Sequence, residues 1–160
     1  MSKLPEEHLQ KLTEQLIRHE GTRRDAEGRH TPYCCSAGAL TIGYGHNLDA
    51  NPIPGMGATS RLTEEEARRL LATDMRKTEE EVREALPFAE ALTPARYAVL
   101  VNMAFNLGTA RLLTFKNTSA DVAIGEYTAA LRRMLRSRWA AQVGRRAVEL
   151  ARQMDSGGWQ

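Results

Sequence analysis

The sequence predicts an α+β chain, mostly helical, in which a small strand-and-turn lobe precedes an all-helical lobe. Two observations carry that reading. Apolar residues recur at helical spacing near the N-terminus and in the long segments after residue 63, whereas residues 22–48 hold four glycines and the β-prone run LTIGYG. One helix, then strands, then helices is the order of an α+β domain. The 160 residues, 42% hydrophobic, make one domain with a sizeable core. It divides at about 1–75, an α+β lobe with a hairpin within 22–48, and about 76–160, a helical lobe.

Each element has its own signal. Pro5-Glu6-Glu7 opens a helix with an acidic first turn, Leu9, Leu12, Leu16 and Ile17 share a face, and Gly21 stops it. Gly28, Gly38, Gly43 and Gly45 then break residues 22–48 into short strands and turns, and NPIPGMG (51–57) is a loop. Thr63 with Glu66 forms a capping box ahead of a helix with Leu70, Leu71 and Met75, continuing through Val82 to Leu86 until Pro87. Thr93-Pro94 starts another as N-cap and N1. YAVLVNMAFNL (97–107) is apolar on nearly every face, which predicts a buried axis ending at Gly108. Residues 119–154 read as helix in two or three pieces, with breaks near Gly125 and Gly144.

Composition excludes some classes. No stretch has the ~18 apolar residues of a membrane span, and the N-terminus lacks an apolar signal region or cleavage site, so the expectation is a protein made in a cytosol, without an anchor. Two cysteines make no disulfide framework. Residues 1–90 hold 12 Lys/Arg against 16 Asp/Glu, net −4, and residues 91–160 hold 10 against 4, net +6. The basic half suits an anionic partner (nucleic acid, phospholipid or a carboxylate-bearing polymer) or is simply a solvated helical surface.

Several residues are candidates for chemistry. Glu20 ends a helix where a hairpin begins, and a carboxyl partly withdrawn from water at such a junction can serve as a general acid; a solvated acid at a helix end is the bland alternative. Cys34 and Cys35 are adjacent, so strand alternation points one thiol to the packed side of a sheet and the other to its open side. Neither His30 nor His46 stands at a usual metal-ligand spacing from them, and a disulfide between neighbours is strained, so neither metal nor cofactor is expected. His46 is either catalytic or, more commonly, held by a carboxylate. Arg136, Arg138, Arg145 and Arg146 surround Trp139, a pairing that grips a sugar chain or nucleic acid, or packs a helix.

HEG (19–21) at a helix end, Y-x-C-x-x-G-x-x-T-I-G-Y-G-H (33–46), AFNLG (104–108) and SRW…GRR…E (137–149) occur in order, and together they resemble the phage-type lysozymes, the endolysin family of muramidases. The resemblance covers nearly the whole chain. It implies a lysozyme-like fold with two lobes flanking an active-site cleft. It also implies a peptidoglycan hydrolase that cuts the β-1,4 bond between N-acetylmuramic acid and N-acetylglucosamine. On this resemblance Glu20 is the proton donor, Cys35 stands where an aspartate is usual, and Thr41 holds the attacking water. Asn47, Phe105 and Thr118 fall on sugar-contacting positions, and Asn106, Arg138 and Gln142 line the same cleft. His46 and Asp74 take the places of a structural ion pair.

Glycoside cleavage needs an acid for the leaving oxygen and a second group at the oxocarbenium-like centre, which fits these residue types. The chain departs from the pattern twice. RDAEGRH (24–30) reads as an insertion lengthening a β-turn, and a thiol with pKa near 8.5 is a poorer anion than aspartate unless its environment lowers that value. Asp25 or Glu27 in the insertion is an alternative second carboxylate. A lytic transglycosylase would share the acid without needing the second group. The intact Glu20 and Thr41 argue against a wall-binding module without activity, and a nucleic-acid-binding protein would explain the arginines but not the hairpin motif. The expected partners are therefore peptidoglycan chains, with a holin opening the membrane, for a monomer that waits in the host cytoplasm.

Overall fold

The structure is a computed structural model and describes residues 2–160. The chain forms two compact units: Thr13–Arg76, and the segment through Leu12 together with Lys77–Gln160. Helices α1 (Glu6–Glu20) and α2 (Glu64–Ala85) each contribute residues to both.

Within Thr13–Arg76, α1 ends as its sequence says. Leu16 is fully buried on the predicted face, and Gly21 at φ +63° closes the helix with its N–H on the Ile17 carbonyl (3.0 Å). A three-stranded antiparallel sheet follows, ordered β1 (Tyr33–Cys34), β2 (Leu40–Ile42) and β3 (His46–Asn47). Its register pairs Tyr33 with Thr41 and Thr41 with Asn47. Directly opposed residues of an antiparallel pair share a face, so Tyr33, Thr41 and Asn47 form one row across it. The alternate face carries Ile42 opposite His46, both buried.

The 24–30 insertion is a closed turn. Oδ1 of Asp25 accepts the backbone N–H groups of Glu27 and Arg29, both at 3.0 Å, and Oδ2 meets Arg61 Nε at 3.2 Å and Arg29 Nε at 3.3 Å. At the start of α2 both halves of the capping box are made: Glu66 N–H to Thr63 Oγ1 at 3.1 Å, and Thr63 N–H to Glu66 Oε2 at 3.0 Å. Ala67, Leu71 and Met75 form its buried face, while Leu70 is only half-buried.

The other unit is helical. Its axis is α3 (Pro94–Leu107), buried continuously from Tyr97 to Ala104, as an all-apolar helix must be. Thr93 is the N-cap, although its side chain makes no capping bond. A short α4 (Thr109–Leu112) follows Gly108, and α5 (Lys116–Ala123), α6 (Tyr127–Arg136), α7 (Arg138–Val143) and α8 (Arg145–Ser156) complete the unit. The last stretch is thus four helices, beginning at Lys116, where sequence spacing suggested two or three. The extra break is at Ser137. Its Oγ donates to the Met134 carbonyl (2.7 Å) and accepts from the Ala140 N–H (3.1 Å), closing α6 and capping α7 with one side chain. Such a cap contributes about 1 kcal/mol.

Candidate active site

Glu20 is the last residue of α1, and its carboxyl lies on the turn between β2 and β3. Its Oε1 is withdrawn from solvent. The neighbour is Gly45, whose bare Cα leaves the room: a Cβ built there would stand 2.9 Å from Glu20 Oε2 and 3.1 Å from Cδ.

Cys35 follows β1 in a tight turn, with its N–H on the Ala39 carbonyl (2.9 Å) and the Gly38 N–H on its own carbonyl (2.8 Å). The turn folds amides around the sulfur. The backbone N–H groups of Ala39, first, and Ala37 hold the Cys35 thiol below its ordinary range; burial opposes them and the Thr41 hydroxyl assists. Thr41 is buried, and its Oγ1 also donates to the Ala39 carbonyl at 3.1 Å.

Tyr33 belongs to the same place, and sequence reasoning gave it no role. Burial raises its phenol above the ordinary value, the charges of Glu20 and Cys35 add to that, and Arg23 over the ring (5.7 Å) opposes them. Its signal was available in the motif, where the aromatic stands two residues before Cys35 and pairs across the sheet with Thr41.

Two clamps hold this hairpin to α2. On one side of the turn, the Tyr44 hydroxyl donates to Glu64 (2.6 Å to Oε1), which also receives Arg24 (2.5 Å) and contacts His30 Nε2 (3.3 Å). On the other side, His46 Nδ1 meets Asp74 Oδ2 at 2.7 Å and its Nε2 meets the Asn51 carbonyl at 2.9 Å. Both ring nitrogens therefore face an oxygen atom.

The remaining candidates are placed as follows. Asn47, in β3, accepts the N–H groups of Asp49 and Ala50 through Oδ1, both at 2.9 Å. In the helical unit, Phe105 is half-buried on α3 and the exposed Asn106 accepts the Trp139 indole N–H (2.8 Å). Phe115 meets Trp139 edge-on at 6.2 Å, and with Leu107, Arg111, Thr114 and Arg138 they line a hollow of about 320 Å³. Thr118 is buried on α5, and Gln142 is exposed on α7.

Three expectations need correction. With Cys35 in the usual aspartate position, strand alternation leaves Cys34 for the packed side, yet Cys34 is exposed, because its two-residue strand is an edge strand and its partner Leu40 is only half-buried. Arg146 does not belong to a surface cluster: it is buried, with Nε and Nη2 on Asn102 Oδ1 at 3.0 and 2.8 Å, while Arg136, Arg138 and Arg145 are exposed. Asp25 is committed to its own turn and to Arg61, which argues against a second catalytic carboxylate there. Among the described residues no group of three or more His, Cys, Asp or Glu is placed to hold a metal ion.

A helix-end glutamate on a glycine turn, beside a small sheet and followed by a helical unit, defines an α+β protein of the lysozyme-like class. The profile of one family, Phage lysozyme, matches residues 24–154, and the chain belongs to that family of muramidase-type glycoside hydrolases. No curated protein gives a significant match.

Proposed function

We propose that the chain is an endolysin that hydrolyses the β-1,4 bond between N-acetylmuramic acid and N-acetylglucosamine, with Glu20 as general acid. The observation that supports this best is the packing of the Glu20 carboxyl on Gly45, in the same compact unit as the Cys35–Thr41 turn. The family match begins after Glu20, so its role rests on this geometry and on the HEG motif. Glu20 protonates the leaving oxygen, and Cys35, whose turn lowers the pKa of its thiol, is the second group at the oxocarbenium-like centre, as nucleophile, weak base or polar stabiliser. Thr41 orients the water that completes the reaction. Asn47, Phe105, Asn106, Thr118, Arg138 and Gln142 are the proposed sugar contacts. The net +6 of residues 91–160 suits a polymer whose peptide stems bear carboxylates.

No helix among the described residues is long and apolar enough to cross a membrane. In this proposal the enzyme, a monomer, waits in the host cytoplasm until a holin opens the way to the wall.

Turbidity of a bacterial-wall suspension tests the acid. Glu20→Gln is expected to keep the fold and lower the clearing rate by roughly 10²–10⁴-fold, the usual worth of general acid catalysis. A rate above about a tenth of wild type would sink the assignment. Product mass tests the reaction: hydrolysis leaves a reducing sugar end, whereas transglycosylation leaves a 1,6-anhydro end.

The thiol has its own test. Cys35→Asp is expected to remain active, Cys35→Ala to lose most of the activity, and Cys34→Ala to be nearly silent. Because the turn holds the Cys35 thiol below its ordinary range, the wild-type rate should rise with pH on a thiol limb, and Cys35→Asp should move that limb to more acid pH. Clearing by Cys35→Ala at the wild-type rate would remove the thiol from the mechanism.

A further inference from the structure

Gly43 and Gly45 flank Tyr44 in a turn between paired residues Ile42 and His46, and both have positive φ, +63° and +83°. Backbone conformation alone favours glycine at each. Their surroundings differ. A Cβ at Gly43 would meet Ala67 Cβ at 3.6 Å, an ordinary contact, whereas one at Gly45 would stand 2.9 Å from Glu20 Oε2, 3.1 Å from Cδ and 3.3 Å from Cγ. Nor can Gly45 retreat. Tyr44 on one side is bonded to Glu64, and His46 on the other to Asp74 and the Asn51 carbonyl. Two buried anchors hold a bare Cα against a carboxyl group.

We infer that Gly45 is a positioning residue for the reaction: its bare Cα, fixed by the Tyr44 and His46 anchors, is the wall that sets the direction of the Glu20 carboxyl. The inference rests on Glu20 being the acid. A methyl group at Gly45 meets the flexible end of a side chain, so the carboxyl is what moves. Displacing an acid by an ångström costs on the order of 10²-fold in rate, because proton transfer needs a heavy-atom separation of about 2.6–3.2 Å. Substrate binding made elsewhere is unaffected.

The test compares three glycines. Gly28 has φ +80°, nearly that of Gly45, with nothing within 4 Å of a built Cβ. Gly28→Ala and Gly43→Ala therefore carry the backbone penalty without the contact. Initial rates over a concentration series of solubilised, labelled peptidoglycan are expected to show kcat reduced by roughly 10–100-fold in Gly45→Ala with KM little changed. Gly28→Ala and Gly43→Ala should keep kcat within about threefold of wild type. Should Gly43→Ala fail to fold, Gly28→Ala remains the φ-matched control. Wild-type kcat in Gly45→Ala, or an equal loss in the controls, would overturn the inference.

A stability cycle separates this from the assignment of the acid. Glu20→Ala removes the group that collides, so Gly45→Ala should lower Tm less in the Glu20→Ala background than in wild type. Additive Tm losses would overturn the contact whatever Glu20 does in catalysis. Coupled losses in an enzyme whose Glu20→Gln variant stays active would instead preserve the contact and reject the acid.

Discussion

Two histidines of the hairpin unit each face a carboxylate of α2, in different surroundings. His46 presents Nδ1 to Asp74 and Nε2 to a carbonyl. His30 is fully buried, with Nδ1 2.6 Å from Thr22 Oγ1 and Nε2 3.3 Å from Glu64. Burial, first, holds its titration below the ordinary value; Glu64 pulls upward and the charge of Arg24 pulls down again. The carboxylate that faces His30 is shared. Glu64 already receives Arg24, Arg68 and the Tyr44 hydroxyl, and little of its charge is left for an imidazole.

Removing each partner in turn breaks or sharpens that contrast. The largest stability effect is expected for Asp74→Asn, which takes the carboxylate from Nδ1 of a buried ring. Breaking a buried pair costs about 3–5 kcal/mol, and the 23% exposure of the Asp74 side chain places this one near ~2–3 kcal/mol. Urea unfolding at neutral pH measures it, and a loss under about 0.5 kcal/mol would mean that the pair contributes little.

Glu64→Gln should cost less, about 1 kcal/mol after allowance for its 41% side-chain exposure. Its signature is in acid. Burial pushes Glu64 up, but Arg24, Tyr44 and His30 outweigh it and hold the carboxyl at about 2. A carboxyl depressed in the folded state adds stability that is complete above its unfolded value, near 4.5, and lost as pH falls toward about 2. Wild type should lose stability through that window, and Glu64→Gln should be flatter across it. The same substitution removes the group that pulls His30 upward, so His30 should titrate lower still.

The smallest effect is the one most specific to the comparison. Arg24→Met deletes the cation that competes for Glu64 and repels a proton on His30, so the His30 titration, followed by NMR, should move up toward the ordinary value near 6.5. Movement downward would mean that packing, rather than charge, sets its state.

These contacts also mark what a sequence can and cannot tell. Local rules placed α1, the capping box of α2 and the buried α3, because propensity, caps and apolar period act over a few residues. Ser137 was missed because one hydroxyl both ended a helix and began the next, and an arginine-rich run hid it. Motif order located Glu20, Cys35, Thr41 and His46. Their partners are different. Arg24, Glu64 and Arg68 look like solvated charges until the fold brings residues 40 positions apart together, and Arg146 on Asn102 spans 44. Tyr33 was legible as an aromatic in a motif, but its closeness to two charges belongs to the register of the sheet.

The helical unit has a consequence for the order of synthesis. It is built from both ends of the chain: Ser2 bonds Glu79, Lys3 reaches the Ala89 carbonyl, and Trp159 stacks on His8 with its indole N–H on the His8 ring (3.0 Å). A ribosome that has released residues 13–76 has delivered every residue of one unit, while the first dozen residues of the other still await its last helix. That unit closes over a long intervening loop, and closure entropy makes such contacts slow relative to local ones. The nascent chain should therefore acquire its hairpin unit early and complete the helical unit only after Trp159 has left the exit tunnel.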